Sequence, residues 1–300
     1  MSGARPEDDH FHPIADTHPH WSETCWFSFG QSGIDLSGTF YPLFRPNLGV
    51  ASLGVSVWDA ASCEPWNVLY HRERWHLPHP TGDLTNLELA GLRYETLEPL
   101  RRYRVRYRDG DLLDVDLEYE GIIPPHDPGG GKDGHGHLDQ PCRVVGEVTV
   151  RGVRHDIDCF DMRDRSWQVR GDDRSTRAGY SYAIASPQDA FLAFAFRLGE
   201  EDRILAGFLL RDGEKANLVE GTRRVQRSSR GWPERVEISA RDALGRVLEC
   251  RGITRNRLAN QASSGLFAWM SLTRWDLAGE SYGQDQDIWS PDQLGGAMVP

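Results

Sequence analysis

RRYRVRYRDGDLLDVDLEYE, residues 101 to 120, decides the fold class. Its second half sets Leu113, Val115, Leu117 and Tyr119 on one side and Asp114, Asp116, Glu118 and Glu120 on the other. A period of two is the mark of a half-buried β-strand. The first half alternates Arg102, Arg104 and Arg106 with Tyr103, Val105 and Tyr107, and Asp109-Gly110 signals a hairpin between the two. A two-residue loop sets Arg106 opposite Leu113 and mixes the faces. A three-residue loop over 109–111, with a bulge at Gly110, pairs Arg106 with Asp114, Arg104 with Asp116, Tyr107 with Leu113 and Val105 with Val115. Because a one-residue slip exchanges the faces, the three-residue loop is predicted. The arginines and acids then form an exposed cross-strand ladder of modest, structural weight.

The same period recurs in VTVRGVRHDID, GYSYAIAS, AFLAFAFRLG, RILAGFLLRDGEKANLV, RVEISARDALGRVLECRG and LFAWMSLTRWDL, and no amphipathic helix longer than two turns is evident. Many short strands at this spacing predict an all-β chain, and its length suits two β-barrel or sandwich domains in tandem. PPHDPGGGKDGHGHLDQP, residues 124–141, lacks apolar periodicity and reads as the connection. The expected division is a disordered leader 1–12, a domain 13–125, a Gly/His-rich linker 126–140 and a second domain 141–300. The triple glycine before Lys132 lacks phosphate-loop spacing. His126, His135 and His137 read as a solvated loop, and no metal is expected.

A net charge of −11 argues against nucleic acid or an anionic membrane as partner. No apolar run approaches the length of a membrane span. The polar, acidic N-terminus shows no secretory signal, so the cytoplasm is the expected compartment. Five scattered cysteines without a C-x-x-C pair read as free thiols.

One segment breaks the alternation. In FDMRDRSWQVR, residues 160–170, Asp161, Arg163, Arg165 and Trp167 share one face and Asp164, Ser166 and Gln168 the other. Either face turned inward carries charge, which must be paired. The segment is therefore either a solvated loop or the wall of a lined cleft. In HWSETCWFSF, residues 20–29, Trp21, Glu23, Cys25, Phe27 and Phe29 share a face, which sets an acid among aromatics and sulfur. Such a carboxyl is expected to hold its proton to higher pH and to serve as acid or base. Asp285 and Asp287, in YGQDQD, read as a turn.

HWSETCWFSF, PNLGVASLGVSVWD, HLDQPCRVVGEVTVRG, FDMRDRSWQVR and GESYGQDQDIW together resemble, in order along the chain, the lipocalin-like superfamily of AttH-type and carotenoid 1,2-hydratase (hydroxyneurosporene synthase) proteins. The resemblance implies two tandem lipocalin-like β-domains without organic cofactor or obligatory metal. In the hydratases a D-H-x-W element, with a downstream Tyr-x-Asp, is thought to hydrate a carbon–carbon double bond. Asp164 and Trp167 match that element, Arg165 replaces its His, and apolar FLAFAF stands where Tyr-x-Asp is sought, so the proton donor does not carry over.

The expected function is a cofactor-independent lyase, hydratase or isomerase acting on a hydrophobic terpenoid, steroid or aromatic molecule in a cavity near the domain junction. Asp164, Glu23 and Arg165 are the catalytic candidates. Trp167, Arg163, Trp21, His137 and Gln140 are the substrate-binding candidates. The alternative is a non-catalytic carrier of such a ligand, the two being separated by whether a titratable group enters the cavity. Nucleophile-elbow and dinucleotide motifs are absent from the sequence.

Overall fold

The computed structural model describes residues 3–128, 134–170, 177–263, 265–290 and 293. The strands form two antiparallel sheets. In chain order the first contains β1 (Trp21–Gln31), β2 (Leu36–Arg45), β3 (Val50–Trp58), β4 (Tyr70–Pro78), β5 (Asn86–Leu89), β6 (Leu92–Glu98), β7 (Arg102–Asp109), β8 (Leu113–Gly121), β9 (Gly136–Val150) and β10 (Val153–Val169). Its spatial order is β4-β3-β2-β1-β10-β9-β8-β7-β6-β5, and it curls into a half-barrel. The second contains β11 (Ala178–Ser186), β12 (Asp189–Leu198), β13 (Glu201–Arg211), β14 (Glu214–Arg227), β15 (Pro233–Asp242), β16 (Val247–Thr254), β17 (Leu258–Ser263), β18 (Leu266–Trp275) and β19 (Ser281–Trp289). Pairing of β16 with β18 closes eight of these into a barrel, which leaves those strands no open edge. The chain is all-β, as its periodicity predicts. Among the described residues no helix is long and apolar enough to cross a membrane.

The β7–β8 hairpin has the predicted faces but a different register. Asp109 pairs with Leu113, Arg106 with Asp116 and Arg104 with Glu118, so the three-residue loop is 110–112. A shift of two positions keeps arginines opposite acids, and the face pattern cannot resolve it. The turn is closed by Leu112 N donating to Asp109 O at 3.0 Å, with Gly110 at φ 53°. Arg104 still reaches Asp116 diagonally, by two hydrogen bonds of 2.7 and 2.6 Å.

The domain division differs from the expected one. One compact unit comprises Met1–Gln31, Ser37–Val57 and Leu69–Arg170; the other comprises Ser32–Leu36, Trp58–Val68 and Gly171–Pro300. Part of the presumed linker is sheet: Gly136–Gln140 begins β9, and His126 and Asp139 exchange backbone hydrogen bonds of 2.7 and 2.9 Å. Residues 129–133, Lys132 included, lie outside the described residues. Cross-strand pairing with β10 explains why so poorly apolar a stretch extends a strand. The presumed leader is also placed: Pro6–Asp9 is a 3₁₀ helix in which Asp8 and Asp9 are buried. Its acids are drawn in by positive charge on the first sheet.

In the first unit the core packs Phe27 against Tyr94 and Tyr119. In the second it gathers Phe191, Leu209, Val236, Ile238, Leu248 and Trp275 inside the barrel. All five cysteines are free thiols, as the sequence suggests.

Candidate functional site

β10 runs unbroken through RDRSWQ with β1 on one edge and β9 on the other, so the charged stretch is a strand paired along both edges. Glu23 pairs with Trp167, Cys25 with Arg165, Trp26 with Asp164 and Phe27 with Arg163. On the other side Gln140 pairs with Arg163, Asp139 with Asp164 and His137 with Ser166. Strand alternation therefore divides the candidates into two groups on opposite faces.

The first face holds Arg163, Arg165, Trp167, Glu23, Trp21 and Gln140. Arg163, 2% exposed, donates Nε to Gln140 Oε1 at 2.9 Å and Nη2 to Asp9 Oδ1 at 3.2 Å, with its guanidinium 3.9 Å from the Tyr103 ring centroid. Asp9 also accepts Leu100 N at 2.6 Å and the Tyr103 hydroxyl at 3.1 Å. Gln140 is tied down by donating to Leu100 O and Ile123 O. Arg165, 1% exposed, is ion-paired with Glu23 and donates to the carbonyls of Thr24, Ser166 and His10. His12 bridges Glu23 (3.2 Å) and Asp8 (3.4 Å) and stacks on Trp167 with centroids 3.8 Å apart. Trp21 packs with Leu138 and Trp167, and His135 meets it edge-on at 5.3 Å.

The carboxylates of this network, Glu23, Asp8 and Asp9, are all paired. Burial pushes the Glu23 carboxyl up, but Arg165 and His12 outweigh it, so its pKa falls below the ordinary value. The expectation of a protonated acid among aromatics is thereby corrected: the arginine two positions before Trp167 holds Glu23 ionised. Asp8, Asp9 and His12 complete the network, and the sequence carries no signal for them, because a polar, acidic N-terminus has the composition of a solvated tail.

The second face is different. Asp164 is half-buried, and no described residue donates a hydrogen bond to its carboxyl. Burial pushes that carboxyl up to about 6, with Asp139 adding to the rise and His137 and Arg170 opposing it. His137 Nε2 lies 2.9 Å from Asp139 Oδ1. Burial lowers the His137 pKa, but the Asp139 carboxylate more than compensates and raises it. Arg170 donates to Tyr41 Oη (3.0 Å) and to Ser166 Oγ (2.6 Å), and Ser166 in turn shares a 2.7 Å hydrogen bond with Thr24. Trp26 meets Tyr41 edge-on, centroids 5.4 Å apart. The structure thus separates Asp164 from Glu23 and Arg165, and His137 from Gln140. Asp139, Arg170, Tyr41 and Trp26 were missed, although the i, i+2 spacing of His137 and Asp139 is a same-face signal on a strand.

The second unit has its own buried charges. Asp285 and Asp287 lie in β19, not in a turn, and are paired by Arg223 at 2.7 and 3.1 Å; Arg227 takes the second oxygen of Asp287 at 2.6 Å. The expected turn is a strand because Arg223 neutralises acids that would otherwise forbid burial. A cavity of about 210 Å³ borders Arg177, Arg197, Asp202 and Arg223, and one of about 290 Å³ borders Glu237, Ser239, Glu249 and Arg251. Both are lined mainly by polar and charged side chains. Among the described residues no group of three or more His, Cys, Asp or Glu is placed to hold a metal.

A closed eight-stranded barrel and a curled half-barrel sheet make a fold consistent with two lipocalin-like domains. A protein from Nitrosomonas europaea assigned as AttH superposes with a TM-score of 0.63 at 15% identity, covering 90% of this chain and 92% of that one. CghA in complex with Sch210972 gives 0.59 at 10% identity over 91% and 88%, and CghA alone gives 0.60. These likenesses are of fold. The chain belongs to the family described as a domain of unknown function, DUF7064, whose model matches residues 5–281. No curated protein matches it.

Proposed function

We propose that the protein is a cofactor-independent lyase, hydratase or isomerase acting on a hydrophobic small molecule by proton transfer between Asp164 and His137. The observation that carries the proposal is the half-buried Asp164 carboxyl, without a hydrogen-bond donor among described residues, on the face that also holds the His137–Asp139 pair. Near neutral pH a carboxyl whose pKa is about 6 is mainly ionised and acts as base. His137, held by Asp139 and raised in pKa, is the matching acid. In an isomerisation Asp164 takes a proton from one carbon and His137 gives one to another. In a hydration His137 protonates the double bond, and Asp164 takes a proton from the water that attacks the neighbouring carbon. Trp26 and Tyr41 supply aromatic surface for an apolar substrate such as a terpenoid, steroid or aromatic compound. That CghA, of similar fold, is found with Sch210972 supports a small molecule as ligand.

The carrier reading draws on a separate observation: on the first face Glu23, Asp8 and Asp9 are all paired. A thermal-shift screen of terpenoids, steroids and phenolic acids, followed by mass analysis of products, separates the two. Turnover by wild type, with binding but no product from Asp164→Asn or His137→Gln, establishes the enzyme. Ligands bound equally by all three proteins, with no product from any, leave a carrier.

A further inference from the structure

We propose that the Asp164 face carries a seat for a carboxylate, built from Arg170, Tyr41 and the Trp26 indole N–H, and that the substrate is an apolar molecule bearing that group. Calling the bound molecule a substrate rests on the acid–base reading of this face; the seat itself does not.

A contrast with the fully buried arginines points to it. Arg163 meets Asp9, Arg165 meets Glu23, and Arg223 meets Asp285 and Asp287. Arg170 meets only hydroxyls, those of Tyr41 and Ser166, and forms no ion pair with a described carboxylate. Its Nε, like that of Arg165, is buried and has no acceptor among the described residues. So is the Nε1 of Trp26, a side chain only 6% exposed. A half-buried guanidinium with no ion pair among the described residues, linked through Tyr41 to an indole N–H that has no acceptor among them, is a donor set suited to an anion.

The donors are also held in place. Ser166, locked by Thr24, fixes one arm of the guanidinium, and Tyr41 fixes another while lying edge-on to Trp26. An arginine fork matches a carboxylate better than an ammonium does, because it presents planar, parallel donors. A carboxylate seated there anchors a molecule beside Asp164 and His137. It also orients the carbon next to the carboxyl for proton removal, and Arg170 stabilises the enolate that forms. Charge coupling follows from the same geometry. Arg170 holds the Asp164 carboxyl down, and a bound anion offsets that influence.

The test uses the full chain and sodium acetate at constant ionic strength, with sodium chloride and acetamide as controls, read by calorimetry and melting temperature. Cinnamate against cinnamamide repeats the comparison with an apolar body attached. The expected result is saturable binding of acetate and cinnamate, with the amides weaker by roughly tenfold or more. Arg170→Gln abolishes that preference, and Trp26→Phe, which keeps the ring but lacks the donor, reduces it. Asp164→Asn keeps it. Equal binding of acid and amide, absence of saturable acetate binding, or a preference that survives Arg170→Gln overturns the seat. Carboxylate binding without turnover of any screened compound retains the seat and sinks the acid–base reading, whereas turnover of uncharged terpenoids without carboxylate binding does the reverse.

Discussion

Replacing Asp164 by Asn is expected to make the protein more stable at neutral pH and no more stable at pH 4. The carboxyl is displaced from an ordinary value of 3.8 to about 6. At about 1.4 kcal/mol per unit this corresponds to about 3 kcal/mol, of which water reaching a half-buried group leaves about 2 kcal/mol. The sign follows from which state holds the proton. Below pH 3.8 both folded and unfolded chains carry it, and the site contributes nothing. Between pH 4 and 6 the unfolded chain has released the proton and the folded chain retains it, so stability falls as pH rises. Above 6 the cost is constant, and Asn removes it. Urea unfolding of wild type and Asp164→Asn at pH 4, 5, 6 and 7.5 measures the difference directly. A gain of about 2 kcal/mol at pH 7.5 corresponds to a rise in melting temperature of about 5 °C for a unit of this size. A variant no more stable than wild type at pH 7.5, or a gain equally large at pH 4, refutes the placement of Asp164. Gain of stability with loss of turnover is the signature of a strained catalytic group.

Glu23→Gln is expected to behave oppositely. Its carboxyl is held below the ordinary value, so it stabilises the fold above about pH 4.5; the variant should lose about 3 kcal/mol at pH 7, and the loss should shrink on acidification. Asp9→Asn leaves Arg163 without its carboxylate and should cost about 3 kcal/mol, read by urea unfolding; a neutral effect shows that the N-terminal segment is not docked as described. Arg223→Met strands Asp285 and Asp287 and should cost about 3–5 kcal/mol in the same assay, whereas a silent substitution shows that those acids are solvated.

Strand content, the faces of the β7–β8 hairpin and the grouping of Arg163, Arg165 and Trp167 were legible because side chains in a strand alternate whatever the partner strand is. The hairpin register was not, since Arg106 opposite Asp114 and Arg106 opposite Asp116 satisfy the same alternation. Nor was the ordering of Pro6–Asp9: Asp9 is buried only because Arg163, far along the chain, supplies the charge that makes burial tolerable. For a related reason, the Gly- and His-rich stretch before Pro141 lacks apolar signal yet gains its strand from β10.

By itself the sequence determined the all-β class and the division of the charged segment into two faces, because both follow from the local period of the backbone. Only the tertiary structure decided which acid is paired with an arginine and which is not. Glu23 and Asp164 are both carboxyls on or beside the same pair of strands. Glu23 is cancelled by an arginine brought against it, while Asp164 is left half-buried beside His137 and Asp139. That difference is one of long-range charge pairing, which no local pattern encodes.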